Sequence, residues 1–329
     1  MEINKDTKKI EYKKGINYVA DKSSVVSDKE YPLEANFPKN LMIELTNACN
    51  LRCAMCYNRM MKRKKGFMDA DTYELILDNA AEIGIEMIGL YTTGESFLHP
   101  RIFDFIRQAK EKGFRYVYLT TNGNLLNEEK IKKIFESGLD SIKFSIDGTS
   151  KESYEKIRIG GNFEVLYNNI KMLREMRDKL KSKLKIYASF VLTNDNSHEL
   201  KEFKNFWKGL IDEVMIVIVG NQSNLQADEF NKFIPGELKD KIVKTRDHCN
   251  LLWNRIIMTY DGKFTICSED FEADLVYGDI HNESMKDAWN NEKMKKFRSM
   301  WKTRNFSLSP RCITCTSDIE QSDALKEVL

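Results

Sequence analysis

Residues 41–58 read LMIELTNACNLRCAMCYN, a short apolar run that passes directly into a polar loop holding Cys49, Cys53 and Cys56. The run predicts a buried strand from Leu41 to Leu45. The loop behind it stands where parallel βα architectures gather ligand-binding groups, at the C-terminal ends of strands. A four-iron, four-sulfur cluster takes one thiolate per iron, and the CxxxCxxC spacing offers three, which leaves one iron open to an exogenous ligand. Structural zinc favours four closed ligands, commonly as paired CxxC knuckles, so three cysteines alone fit the cluster better.

Working outward, β-rich apolar runs recur at Glu86 to Tyr91, Tyr116 to Thr120, Ser141 to Ser145, Lys185 to Leu192 and Val214 to Val219. Amphipathic helical patterns lie between them at about 69–83, 101–112, 127–137, 163–181 and 196–209, several preceded by an Asp or Asn suited to capping. Six strands joined by right-handed crossovers predict an α/β fold over residues 39–219, wound into a sheet or a partial (β/α)6 TIM-like barrel. Residues 1–38 are polar and Lys-rich and read as an N-terminal extension. Residues 220–247, broken by Pro235 and Gly236, read as a linker. Residues 248–329 form a small C-terminal domain with a hairpin, Arg255 to Tyr260 and Lys263 to Cys267 about Asp261-Gly262. The Trp289, Phe297 and Trp301 series at helical spacing reads as core.

The chain has 329 residues, 42% hydrophobic and 31% charged, enough for a substantial core. A net charge of +2 over that length makes no field that would argue for nucleic acid. No apolar run reaches the roughly 18 residues that span a bilayer, and the N-terminal stretch lacks a secretory core, so a cytoplasmic location and no membrane partner are expected. In a reducing compartment, seven cysteines favour metal ligation over disulfides.

At this point the sequence resembles the radical S-adenosylmethionine (SAM) superfamily over about residues 39–219. Tyr57 follows the third cysteine, where that family carries an aromatic. Thr93-Gly94-Glu95 follows the second strand, at the family's GGE motif, with Thr93 in place of the first Gly. Thr121-Asn122-Gly123 follows the third strand, and Ser145-Ile146-Asp147-Gly148 ends the fourth. The resemblance implies that Tyr57, Thr93, Gly94, Glu95, Asn122, Ser145, Asp147 and Arg158 bind SAM beside the cluster. Residue chemistry agrees: Gly94 admits close backbone approach, Ser145 and Asp147 suit ribose hydroxyls, and the Arg158 fork suits a carboxylate. It also implies reductive cleavage of SAM to a 5′-deoxyadenosyl radical, and an electron donor of flavodoxin or ferredoxin type. The run Lys62-Arg63-Lys64-Lys65 could dock such a donor.

Cys249, Cys267, Cys312 and Cys315 remain, and four thiolates can enclose one zinc or one four-iron cluster. Their setting, with LLW, YDGKFTIC, YGDI and AWN, is similar to the auxiliary-cluster domain of the SPASM and twitch branch. No Cys follows Cys315, which implies the single-cluster twitch form with a second [4Fe-4S] cluster. Three ligands plus four leave no spare thiol to return a hydrogen atom to a substrate radical. The expectation is therefore a two-electron oxidation, dehydrogenating a sugar, aminocyclitol or similar alcohol with the auxiliary cluster as electron acceptor. The alternative is peptide modification, crosslinking or epimerisation, for which the 48 residues ahead of Cys49 leave little room for a recognition domain. A non-catalytic iron–sulfur carrier or zinc scaffold is the third reading.

Overall fold

The computed structural model describes residues 31–223, 225–236, 249–313 and 315. The six expected strands are β1 (Asn40–Ile43), β2 (Met87–Gly89), β3 (Tyr116–Thr121), β4 (Ser141–Ser145), β5 (Lys185–Leu192) and β6 (Glu213–Ile218). Each pairs in parallel with its neighbour in sequence, so the partial barrel is present. Among the connecting helices, α1 (Ala70–Glu82) starts where Asp69 accepts a hydrogen bond from the Thr72 amide at 2.8 Å. It buries Tyr73, Ile76, Leu77 and Ala80 along one stripe. α2 (Ile102–Glu111) and α3 (Glu128–Ser137) also follow their predicted spans. The sequence pattern shows no helix between β4 and the next long one, yet α4 (Lys151–Ile157) forms there. Ser150 caps it from the Ser153 amide, and Tyr154 and Ile157 are buried. α5 (Phe163–Leu180) and α6 (Leu200–Phe206) complete the barrel layer, and α7 (Ala227–Phe233) lies within the stretch read as a linker.

The predicted hairpin is β7 (Arg255–Met258) and β8 (Lys263–Thr265). It does not stand apart: β7 pairs in parallel with β1 from Asn40↔Arg255 to Ile43↔Met258. An unpredicted β9 (Val276–Asp279) adds antiparallel to β8. The result is one nine-stranded sheet, β6-β5-β4-β3-β2-β1-β7-β8-β9. A short α8 (Leu251–Asn254) leads into β7, and α9 (Met285–Trp289) and α10 (Glu292–Thr303) cover the end. Trp289, Phe297 and Trp301 are all buried, but on two helices, because Asn291 starts a new one by accepting from the Met294 amide.

Alternation along the strands separates two interiors. Ile88, Val117, Leu119, Ile142, Phe144 and Phe190 join the main core, whereas Met87, Tyr118 and Tyr187 form a second cluster with Tyr91 and Tyr116. This second face lines the barrel lumen. Its floor is a hydrogen bond from Asn40 Nδ2 to the Tyr118 hydroxyl at 2.9 Å. The Tyr118 ring lies over Gly89, where a Cβ would stand 2.7 Å from it, so only glycine leaves that passage open. Among the described residues no helix is long and apolar enough to cross a membrane.

Candidate functional site

β1 delivers the chain to Glu44, which is 2% exposed. Its carboxylate accepts from Arg63 Nη2 at 2.5 and 2.7 Å, from Thr93 Oγ1 at 2.5 Å, from Thr92 Oγ1 at 3.2 Å and from the Tyr260 amide at 3.3 Å. One buried charge thus ties the β1 end to the β2 loop, the basic run and the hairpin. The sequence reading passed over Glu44, although a lone acid inside LMIELT was the available signal. The basic run is partly tied into this network, while Lys62, Lys64 and Lys65 are exposed. Arg63 turns inward to Glu44, and Lys65 donates to Asn47 O at 3.1 Å and Asn58 Oδ1 at 2.9 Å.

The cysteine loop is held from several sides by bonds that do not involve sulfur. The Arg52 and Ala54 amides donate to Ile159 O (2.9 Å) and Ile157 O (2.8 Å). Gln222 and Gln226 Nε2 both donate to Met55 O, and the Tyr57 amide donates to Gln222 Oε1 at 2.6 Å. Cys53 is buried and Cys49 and Cys56 are half-buried. Burial pushes the Cys49 thiol up to about 11 and Cys56 up to about 12, and the nearby Cys53 adds to both. Three sheltered sulfurs close enough to repel one another as thiolates fit a cationic iron cluster, whose charge would hold them deprotonated.

Most of the predicted SAM residues gather around this loop. At Gly94 a Cβ would meet Thr46 O at 2.3 Å and Ala48 O at 2.5 Å, so no other residue fits without displacing the cysteine loop. Thr93 is already committed to Glu44. Glu95, 3% exposed, accepts from Thr121 Oγ1 (2.8 Å), the Asn122 amide (2.8 Å) and the Phe97 amide (3.1 Å). Burial raises its carboxyl above the usual range against these donors. Asn122 Nδ2 donates to Asn50 inside the cysteine loop. Asp147, fully buried at φ 60, accepts from the Val191 amide at 2.6 Å and pairs with Arg158 Nη2 at 2.5 Å. Arg158 Nη1 reaches Cys53 Sγ at 3.5 Å, so the guanidinium bridges carboxylate and thiol. Ser145 ends β4 opposite Ser189. Tyr57 stands apart: its ring meets Phe271 edge-on at 5.7 Å and its hydroxyl is bonded to Glu272.

The lumen beside these groups holds a side chain that sequence reading missed. Lys143 Nζ lies 5.5 Å from the centre of the Tyr91 ring. Burial, reinforced by the charge of Arg255, lowers its ammonium to about 8. A lone Lys inside the strand SIKFS was its only mark in the sequence.

The later cysteines converge. Cys249, Cys267, Cys312 and Cys315 line one cavity of about 310 Å³, together with Met42, Tyr91, Thr92, Ser223, Arg255 and Trp301. The turn after Cys267 is fixed by buried Asp270, which accepts from Thr265 Oγ1 (2.6 Å) and the Asp274 and Leu275 amides (2.9 Å each). Four thiolates bordering one space are the donor set that a four-iron cluster takes. His248, which adjoins Cys249 in the sequence, is outside the described residues.

Comparison with known proteins agrees with this geometry. The radical SAM superfamily model matches residues 43–206, and the SPASM iron–sulfur cluster-binding domain model matches residues 249–316. The tungsten-containing aldehyde ferredoxin oxidoreductase cofactor-modifying protein of Pyrococcus furiosus is 40% identical over 110 residues, 33% of this chain and 31% of that protein. This chain aligns with only 31% to 46% of the length of the first such relatives. Among solved structures, BtrN in complex with AdoMet and 2-DOIA has a TM-score of 0.57 at 19% identity, covering 86% of this chain and 94% of BtrN. Streptococcus suis SuiB bound to its precursor peptide SuiA has a TM-score of 0.63 at 14% identity, covering 85% and 70%. Both structural likenesses concern the fold. The chain belongs to the radical SAM superfamily, in the branch with a C-terminal SPASM domain, and its cofactors are SAM, a four-iron cluster and an auxiliary iron–sulfur cluster.

Proposed function

We propose that this chain dehydrogenates a secondary alcohol on a sugar, aminocyclitol or related small molecule. Cys49, Cys53 and Cys56 hold the SAM-binding cluster in this reading, and Cys249, Cys267, Cys312 and Cys315 hold the auxiliary four-iron cluster. Gly94, Glu95, Asn122, Ser145, Asp147 and Arg158 form the SAM cradle, and residues 39–219 and 248–329 act as barrel and auxiliary domain. When bound, SAM and its cluster supply a 5′-deoxyadenosyl radical able to take hydrogen from carbon. The observation that carries the reading is the shared cavity: the four later cysteines and the lumen residues Met42, Tyr91 and Arg255 line the same space. An acceptor that borders the substrate lumen suits removal of a second electron. BtrN, of the same fold, is solved with the small molecule 2-DOIA.

The chain's own residues have definite tasks. Tyr118 and Asn40 close the lumen floor, Arg158 and Asp147 fix each other beside Cys53, and Lys143 Nζ takes the proton that an oxidised hydroxyl must lose. Anaerobic reaction with SAM, a reductant and a carbon-deuterated aminocyclitol should put deuterium into 5′-deoxyadenosine and yield the ketone. A crosslinked or epimerised peptide as the turnover product, with no alcohol oxidised, would replace this reading with peptide modification.

The proton step sets a pH dependence. The titratable groups facing Lys143 are Tyr91, Tyr187 opposite it on β5 and Arg255 on β7. Because the neutral amine is the base, turnover should rise as pH passes upward through about 8. Lys143→Met should lose that limb and at least ~10²-fold in rate, the scale of a positioned base. An unchanged pH profile in the variant would remove Lys143 from the mechanism.

A further inference from the structure

Two hydroxyls stand on the sulfurs of the later cysteine set. Ser223 Oγ lies 3.2 Å from Cys267 Sγ, where either group can donate, and the Cys312 thiol donates to Ser309 Oγ at 3.3 Å. Both serines are shielded from water, at 3% and 2% exposure. The Glu269 amide adds a third polar hydrogen near Cys267 Sγ, at 3.4 Å. A metal-bound cysteine carries no proton, so in the loaded protein each hydroxyl can only donate to its sulfur.

The backbone that presents Ser223 is unusual. Gln222 and Ser223 are successive non-glycine residues in the left-handed region, with φ of 48° and 56°, a conformation that L side chains rarely adopt and that clusters where structure is held for function. It sends two adjacent side chains to two different sites. Gln222 holds the first cysteine loop through Met55 O and the Tyr57 amide, and Ser223 reaches Cys267. Nothing in GNQSNLQ announces this, since no glycine marks the two positions.

We propose that Ser223 and Ser309 are potential-setting residues of the auxiliary cluster: their hydroxyls donate to the Cys267 and Cys312 thiolates and make that cluster easier to reduce. The inference rests on the proposed ligation by those two cysteines. Hydrogen bonds to ligand sulfur withdraw charge and stabilise the reduced, more negative cluster over the oxidised one. In a water-excluded site such charge-assisted bonds are at their strongest. The auxiliary site thereby becomes a competent acceptor for an electron leaving the substrate. The first cysteine set has no hydroxyl partner among the described residues; its sulfurs meet the Leu51 amide and Arg158, each at 3.5 Å, and the Asn58 amide.

The test is a redox titration of the reconstituted full-length chain, followed by electron paramagnetic resonance, with iron counted on every sample. Ser223→Ala should shift the auxiliary reduction equilibrium about tenfold toward the oxidised form, roughly 59 mV downward for a one-electron couple, with the SAM cluster unmoved. Ser223→Gly should give the same shift, because it removes the hydroxyl while relieving the backbone. Ser309→Ala should also lower the midpoint from a separate element, and Ser309→Thr, which keeps the hydroxyl in extended backbone, should restore it. Full iron content with unchanged midpoints in Ser223→Ala and Ser309→Ala overturns the inference alone. A wild type without an auxiliary cluster overturns the ligation reading, and the inference with it.

Discussion

Alanine at Cys49, Cys53 and Cys56 together should abolish reductive cleavage of SAM while leaving the chain folded. The loss should be complete because, in the proposed ligation, these three thiolates are the whole protein contribution to that cluster. The chain should stay folded because the loop is anchored by bonds that do not involve sulfur. The Arg52 and Ala54 amides bond to Ile159 and Ile157, and both Gln222 and Gln226 hold Met55 O. 5′-Deoxyadenosine formation under dithionite, read beside circular dichroism, checks both halves. Cleavage at the wild-type rate in the variant would move the SAM site elsewhere.

Arg158→Met should destabilise the chain by roughly 3–5 kcal/mol, the cost of stripping a buried charge of its partner. Asp147 is fully buried at a positive φ and takes its ion pair from Arg158. Burial already raises the Asp147 carboxyl against the pull of Arg158, so without the arginine it takes up a proton at higher pH. Asp147→Asn combined with Arg158→Met should recover part of the loss, since no lone carboxylate then remains. Arg158→Lys should not restore SAM affinity, because one ammonium cannot span Asp147 and Cys53 as the guanidinium does. Urea midpoints and equilibrium SAM binding measure these effects. A methionine variant as stable as wild type, with unchanged SAM affinity, would show the bridge to be incidental.

The sequence was most legible where physical demands were simplest. Strands β1 to β5 are largely buried and β6 is a half-buried edge strand, all of them readable as apolar runs, and β4 and β5 have the predicted bounds. α4 went unread because seven residues in TSKESYEKIR show too little periodicity, although Ser150 carries its cap. β9 went unread because VYGD is short and a register shift between Phe264 and Thr265 disturbs its pairing. The spacing sorts the seven cysteines into three and four, and the four later ones line one cavity. Glu44, Lys143 and Ser223 carry no such mark: Glu44 is a lone acid just past β1, Lys143 a lone charge inside β4, and Ser223 owes its position to backbone angles that no local residue type requires. What sequence could not supply was the β1–β7 pairing, a contact between residues more than two hundred positions apart that brings the later cysteines against the lumen.

Anaerobic reconstitution with iron and sulfide counting, on wild type and on the Cys49, Cys53 and Cys56 triple alanine variant, addresses the two-cluster claim most directly. About eight irons should fall to about four, with the remaining cluster still visible by electron paramagnetic resonance. Four irons falling to none, with one zinc retained in both proteins, would contradict it.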